Sequence, residues 1–156
     1  MMISTNTTEN NIKVLSWNCN GISGKRHHLE SLLLRHNPHI FALTETKLVP
    51  EITDKEICNG YTLFRYDRTF GIGCGVLIGV ADSTNIKVSN VSKIDDGELL
   101  AINVDVSGFS FVFVVYYHRP SIKHVDDFLH WYCNQMSPNT VIVGDFNLPY
   151  TVIQKV

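Results

Sequence analysis

The sequence predicts an α/β domain of the α+β type, in which a mixed and mostly antiparallel sheet is flanked by two helices. A strand, a helix and a second strand follow one another within about thirty residues near the start of the chain, which is the size of a βαβ unit. Short apolar runs separated by turn residues then fill the middle of the chain, as in an antiparallel meander. The chain has 156 residues, of which 44% are hydrophobic and 18% charged, so it is globular and long enough for one domain.

The first half supplies the βαβ-sized unit. Lys13–Asn18 is an apolar run that predicts a buried strand. Lys25–His36 predicts a helix because its leucines recur on one face, and Asn37 followed by Pro38 ends it. His39–Thr44 predicts a second buried strand. The spacing alone leaves open whether the two strands are parallel.

The middle and the end of the chain add strands and one more helix. The predicted meander strands are Tyr61–Arg65, Gly75–Val80, Leu99–Val106 and Phe109–Tyr117. Apolar residues from Val125 to Met136 recur at helical spacing and predict the second helix, which Ser137 and Pro138 end. Thr140–Val143 predicts a last buried strand.

The N-terminus predicts neither secretion nor membrane insertion. Residues 1–11 are rich in Ser, Thr and Asn and lack the apolar segment of a signal peptide, so we expect a short disordered tail before a domain over residues 12–156. No apolar run approaches the ~18–20 residues that span a bilayer. The expected location is therefore intracellular, either nuclear or cytoplasmic.

Charge and cysteine content exclude two further classes of protein. The 13 basic and 15 acidic residues give a net charge of −2, which excludes a binder that recognises nucleic acid by charge alone. Lys25, Arg26, His27 and His28 could still form a local basic patch, or simply a solvated helix start. No two of the 4 cysteines have metal-ligand spacing, and we interpret all of them as reduced thiols.

Polar side chains follow three of the predicted strands directly. Asn18 follows the first strand, Glu45 the second, and Asp145 and Asn147 the last. Each such motif alone is more often a turn or a surface ion pair, but the repetition favours a shared site. The carboxyl edge of an α/β sheet is where ligands bind, and oxygen donors of this kind suit Mg²⁺ or Mn²⁺.

Five segments in chain order carry a resemblance to a known family. They are Leu15–Gly21, Ala42–Lys47, Gly73–Ile78, Val115–Ser121 and Val143–Pro149. Through them the chain resembles the endonuclease/exonuclease/phosphatase superfamily, and it looks most similar to the endonuclease domain of non-LTR (LINE-type) retroelements. The resemblance implies the N-terminal part of a four-layer αββα sandwich. It also implies Mg²⁺- or Mn²⁺-dependent hydrolysis of phosphodiester bonds, with nucleic acid, namely DNA, as the partner.

The resemblance also implies roles for individual residues. Glu45 would be the main metal-ligating carboxylate, and Asn18 would belong to the same metal and phosphate environment. Tyr117 would contact the scissile phosphate, although Tyr116 stays an alternative because the spacing between tyrosine and proline is ambiguous. The remaining two roles fall on residues that follow the last predicted strand. Asp145 would orient or activate the attacking water, and Asn147 would hydrogen-bond the phosphate.

One part of the family pattern has no counterpart in these residues. Relatives carry a late Asp-His type of motif, and the sequence contains no Asp-His dipeptide. We therefore expect a C-terminally truncated domain with weak or no activity and an open sheet face, so that the chain is either an unstable fragment or has this face covered by a second chain. The alternative is a non-catalytic retroelement-derived remnant that binds nucleic acid or a protein partner. A phosphatase is a further alternative, so the substrate stays open among DNA, RNA and phosphoinositide.

Overall fold

The computed structural model describes residues 2–5, 11–69, 74–94, 98–119 and 139–147. These ranges contain nine strands, two α-helices and a short 3₁₀ turn over Ser23–Lys25. The helices are α1 (Arg26–His36) and α2 (Asp54–Ile57). The strands are β1 (Met2–Thr5), β2 (Ile12–Asn18), β3 (Ile40–Thr44), β4 (Tyr61–Tyr66), β5 (Val76–Ala81), β6 (Lys87–Ile94), β7 (Leu99–Val106), β8 (Phe109–Tyr117) and β9 (Thr140–Asp145).

The first sheet has the strand order β1-β2-β3-β5-β4. Strands β2 and β3 are parallel, with Val14 opposite Ile40 and Asn18 opposite Thr44, which answers the question that spacing left open. The other pairs are antiparallel. The expected disordered tail over residues 1–11 is wrong for Met2–Thr5, because the edge of β2 offers backbone hydrogen bonds to a neighbouring strand whatever its side chains are.

The second sheet has the strand order β6-β7-β8-β9. Strands β7 and β8 are the last two strands of the predicted meander, and Ser107 and Gly108 turn between them with φ of 50° and 78°; β6, which was not predicted, pairs with the other side of β7. Strand β9 then pairs in parallel with β8, so that Tyr117 lies opposite Asp145. This register brings the ends of β8 and β9 to the same edge of the sheet.

The two sheets pack face to face around one apolar core. Val76 and Ile78 of the first sheet belong to the same cluster of buried side chains as Ile102 and Phe113 of the second, and all four are fully buried. Burying a side chain of this size contributes about 1.5–3 kcal/mol. The expectation of an open inner face is therefore wrong. The first two strands of the predicted meander, β4 and β5, belong to the first sheet, and the last two, β7 and β8, belong to a second sheet that packs on it.

The outer face of the first sheet is covered by α1. Leu29 and Leu33 of the helix are buried against Phe41 and other side chains of that face. The helix ends as predicted, because Asn37 adopts a left-handed conformation and donates its backbone N–H to the carbonyl of Leu33 at 2.8 Å. Two layers of sheet with helical cover confirm the predicted α+β sandwich class.

The remaining expectations concern the second helix, the cysteines and membrane-spanning segments. The second predicted helix, Val125 to Met136, lies outside them, as does Cys133. Within them Cys19, Cys58 and Cys74 are free thiols, as expected. Among the helices of the described ranges, none combines the length and apolar character needed to cross a membrane.

Candidate active site

The residues that follow β2, β3 and β9 meet at one edge of the sandwich. Asn18 stands at the centre of this group, because its side-chain Nδ2 donates to Glu45 Oε1 at 2.9 Å and to Asp145 Oδ2 at 2.7 Å. Its amide oxygen accepts the backbone N–H of Asn20 at 3.2 Å, which fixes the amide from the other side. Two carboxylates that would otherwise repel each other are thus joined through one amide group.

Glu45 is held in an unusual backbone conformation. Its φ is 53°, in the left-handed region that residues other than glycine adopt at a cost of about 1–2 kcal/mol. Backbone hydrogen bonds on both sides maintain it: Gly21 donates to the carbonyl of Glu45 at 2.7 Å, and Thr46 donates to that of Gly75 at 3.1 Å. Strain of this kind is typical of functional sites.

Asp145 is fixed from three directions. Asn18 binds Oδ2, the backbone N–H of Asn147 binds Oδ1 at 3.0 Å, and the backbone N–H of His118 binds the main-chain carbonyl at 2.8 Å. Gly144 precedes it with φ of 143°, and a Cβ at that position would lie 1.8 Å from the carbonyl oxygen of Tyr116. A glycine is therefore required for β9 to bring Asp145 this close to β8.

Asn147 lies beside Asp145 at the exposed rim of the site. Its backbone is left-handed, with φ of 46°. Its side-chain Nδ2 donates to the backbone carbonyl of His118 at 2.6 Å. The carboxamide is therefore anchored on one side, while the residue itself remains accessible to a ligand.

The alternation along β8 separates the two tyrosines. Tyr117 belongs to the inner face, and its hydroxyl is hydrogen-bonded to the Glu45 carboxylate. Burial, followed by the negative charge of Glu45, raises the pKa of Tyr117 to about 12, so its hydroxyl stays a donor. Tyr116 belongs to the outer face, where its ring packs on Phe146 with centroids 5.9 Å apart. Of the two tyrosines, Tyr117 is the one beside Glu45.

A thiol nucleophile is excluded next to Asn18. The Cys19 thiol donates to the backbone carbonyl of Thr44 at 3.3 Å. Burial raises its pKa to about 11, so it is protonated at neutral pH. Its contact with β3 is structural.

The basic segment at the start of α1 does not act as one patch. Lys25 donates its Nζ to the backbone carbonyls of Cys19 and Asn20, the latter at 3.2 Å. Arg26 donates to the carbonyl of Glu56 at 3.0 Å, which ties α1 to α2. The ring of His28 lies 5.0 Å from that of Trp17. Lys25, Arg26 and His28 therefore each make contacts within the domain.

Sequence reasoning missed some polar residues around the site. Lys47 donates its Nζ to the side-chain oxygen of Asn20. Arg119 forms an ion pair with the buried Glu98, whose backbone carbonyl accepts the N–H of Tyr117 at 2.8 Å. Lys47 and Arg119 lie within the resembling segments, which is the only feature of the sequence that points to them. Glu98 lies outside those segments, and its contact with a distant strand cannot be seen in sequence.

The donor set fits a hard divalent cation. Glu45 and Asp145 are the two carboxylates at the centre, and in the described part of the chain no three His, Cys, Asp or Glu side chains form a closed metal cage. Mg²⁺ commonly takes one or two carboxylates and completes its shell with water and substrate phosphate. An open oxygen site of this kind is therefore compatible with Mg²⁺ or Mn²⁺.

Comparisons with known proteins identify a family and a fold. Residues 15–152 match the Endonuclease/Exonuclease/phosphatase family. TDP2 of D. rerio complexed with single-strand DNA product is similar over 89% of this chain and 62% of that chain, at 19% identity and a TM-score of 0.66. The human Nocturnin catalytic domain with bound sulfate anion is similar over 94% of this chain and 68% of that chain, at 16% identity and a TM-score of 0.69.

An AP endonuclease from Archaeoglobus fulgidus is similar over 88% of this chain and 58% of that chain, at 18% identity and a TM-score of 0.67. The chain thus spans less than two thirds of the TDP2 and AP endonuclease chains. These similarities show a shared fold. Because the family match extends over most of the sequence and the fold agrees with it, the chain belongs to the endonuclease/exonuclease/phosphatase family.

Proposed function

We propose that this domain is built for metal-dependent hydrolysis of a phosphodiester bond in nucleic acid. The observation that carries the proposal is the hydrogen-bonded group of Asn18, Glu45 and Asp145 at one edge, with Tyr117 and Asn147 beside it. The family comprises nuclease- and phosphodiesterase-type enzymes that generally depend on a divalent metal ion. The D. rerio TDP2 structure, which contains single-strand DNA product, supports nucleic acid as the ligand class.

In this proposal Glu45 holds Mg²⁺ or Mn²⁺. A bound cation would supply neutralisation of the negative charge on the phosphate. Asn18 keeps the carboxylates of Glu45 and Asp145 in fixed positions, so that little reorganisation is needed when substrate arrives. We propose that Asn18 shares the metal and phosphate environment through this positioning.

The other three residues would act on the phosphate and the water. Asp145, whose two oxygens are both oriented, holds the attacking water and accepts its proton. When substrate binds, Tyr117 turns its hydroxyl hydrogen from the Glu45 carboxylate to a phosphate oxygen, and its raised pKa keeps that hydrogen in place at neutral pH. Asn147 hydrogen-bonds a second phosphate oxygen. Such roles are electrostatic and positional, as phosphodiester hydrolysis requires.

We further propose that the 156 residues alone cleave weakly or not at all, because no position in them matches the late family histidine. Losing a proton-transferring or charge-stabilising group typically costs about 10²–10⁴-fold in rate. The alternative, a non-catalytic and retroelement-derived domain that binds nucleic acid, is favoured by the same observation. The two proposals differ in whether a metal ion binds at Glu45 and supports cleavage.

Metal binding and cleavage test the proposal together. Titration calorimetry with Mn²⁺ should show binding by the wild-type chain and at least tenfold weaker binding by Glu45→Gln, because a neutral amide replaces the ligating carboxylate. Glu30→Gln, an exposed carboxylate of α1, is the matched control and should bind like wild type.

Nicking of supercoiled plasmid DNA gives the second readout. Slow nicking that Glu45→Gln and Asp145→Asn abolish supports the enzyme. Retention of DNA by all variants, with no Mn²⁺ binding and no nicking, supports the non-catalytic alternative. Equal Mn²⁺ affinity of wild type and Glu45→Gln would contradict the metal assignment.

A further inference from the structure

His118 lies directly behind the candidate catalytic group. The residue is 3% exposed, and both of its main-chain polar groups are directed to the last strand. Its N–H donates to the carbonyl of Asp145 at 2.8 Å, and its C=O accepts Nδ2 of Asn147 at 2.6 Å. One residue of the segment after β8 therefore holds two residues of the proposed site.

The side chain of His118 is anchored away from the site. Its Nδ1 lies 3.2 Å from the hydroxyl of Tyr116, within hydrogen-bond distance, and the two ring centroids are 6.2 Å apart. Tyr116, which belongs to β8, lies on the outer face of the second sheet, where its ring packs on that of Phe146. Tyr116 and His118 are both almost completely buried, so the surrounding packing leaves the imidazole few alternative orientations.

From these contacts we infer that His118 is a positioning residue for Asn147. The hydrogen bond between the Tyr116 hydroxyl and the imidazole fixes the backbone of His118, and the carbonyl of His118 fixes the Asn147 carboxamide. One N–H of Asn147 is committed to this carbonyl, which leaves the second N–H to meet a phosphate oxygen. The inference rests on the proposed function for the use of Asn147, but the positioning itself can be measured without any reaction.

The test is hydrogen exchange of the Asn147 side-chain amide in ¹⁵N-labelled, metal-free protein. The signal is identified by its absence from Asn147→Asp. Tyr116→Phe removes only the hydroxyl and should accelerate the exchange about five- to tenfold, which corresponds to one lost hydrogen bond. His118→Phe should accelerate the exchange to the same extent. The double variant should show no further acceleration, because both changes break the same contact between Tyr116 and His118.

Two more variants separate positioning from general loss of stability. Tyr61→Phe removes another partly buried tyrosine hydroxyl, which donates to the carbonyl of Pro38 at 2.9 Å far from the site. It should lower stability to a similar extent and leave the Asn147 exchange unchanged. His118→Asn retains a polar atom near the position of Nδ1 and should restore most of the protection.

The outcomes are distinct. Unchanged Asn147 exchange in both Tyr116→Phe and His118→Phe, or equal acceleration by Tyr61→Phe, would overturn the inference. Acceleration confined to the first two variants supports it. If the exchange behaves in this way while the wild-type chain binds neither Mn²⁺ nor DNA, the proposed function fails and the positioning of Asn147 by His118 stands.

Discussion

Gly144 shows how one residue without a side chain determines where the carboxylate of Asp145 stands. Its φ of 143° and the 1.8 Å between a built Cβ and the Tyr116 carbonyl oxygen leave no room for alanine. Gly144→Ala should lower the free energy of unfolding by about 2–3 kcal/mol, because β9 must move away from β8. Urea denaturation followed by circular dichroism measures this change.

Gly24 provides the control for that substitution. It has nothing within 4 Å of a built Cβ and no positive φ, so Gly24→Ala should change stability by no more than about 0.5 kcal/mol. Similar losses for the two alanine variants would mean that the close approach of β9 to β8 does not depend on glycine.

The ionisation of Tyr117 should make stability depend on pH in alkaline solution. The pKa is about 12 in the folded protein, against an ordinary value of 10.0, chiefly because of burial and the Glu45 carboxylate. The unfolded chain therefore ionises first, so the contribution is complete below pH 10 and is lost as pH rises toward 12.

This loss can be measured in metal-free protein. The stability difference between wild type and Tyr117→Phe should shrink between pH 10 and 12, and the difference in absorbance at the tyrosinate band should titrate near pH 12. A midpoint near the ordinary value of 10.0 would show that Tyr117 does not contact the Glu45 carboxylate.

At the level of single residues, the sequence predicts which side chains gather but not how they are bonded. Asn18, Glu45 and Asp145 could be predicted because each follows an apolar strand. The choice between Tyr116 and Tyr117 could not be made, because it depends on which face of β8 is the inner one. His118 could not be predicted at all, since its role arises from a contact with β9.

At the level of elements, Arg65 of β4 joins the loop before α2 to the first sheet. Its Nη1 donates to the carbonyl of Ile52 at 2.5 Å and to Asp54 at 3.1 Å. Its Nη2 donates to the carbonyl of Val49 at 3.2 Å and to Asp67 at 2.5 Å. A lysine cannot reproduce this planar fork.

Arg65→Lys should therefore lower the free energy of unfolding by about 1.5–3 kcal/mol, the range for charged hydrogen bonds. Limited proteolysis should cut first in the loop over residues 49–53. Arg35→Lys, on the exposed face of α1, is the control and should leave both the stability and the cleavage pattern unchanged. A loop equally resistant in both variants would contradict the role of Arg65.

Elements with a marked apolar pattern are predicted within two residues of their observed ends. This holds for β2, β3 and α1, whose apolar side chains are buried as the pattern requires. Strand β6 was missed because most of its side chains are exposed, and a bulge between Ser89 and Ser92 interrupts its pairing. Strand β1 was missed because its sequence, Met2–Thr5, has no apolar pattern, and the structure identifies it by its backbone pairing with β2.

At the level of the whole molecule, the sequence indicates the α+β class but not the number of sheets. A meander of apolar strands can extend an existing sheet or fold over it, and both arrangements have the same periodicity. Only the tertiary packing, in which Ile78 of one sheet and Phe113 of the other share one buried cluster, distinguishes the two. The site depends on this arrangement, because Glu45 follows a strand of one sheet and Asp145 ends a strand of the other.

Two phenylalanines of β8 test whether the sheets share one core. Phe113 is 0% exposed on the inner face, whereas Phe109 at the start of the same strand is 49% exposed. Phe113→Ala should lower the free energy of unfolding by about 3–5 kcal/mol, since it leaves a cavity between the sheets, whereas Phe109→Ala should cost less than about 1 kcal/mol. Denaturant unfolding of the two variants measures both values. Because the carboxylates come from different sheets, Phe113→Ala should also weaken Mn²⁺ binding under conditions where it is still folded, and Phe109→Ala should not. Equal, small losses of stability in the two variants would contradict a sandwich in which both sheets bury the same core.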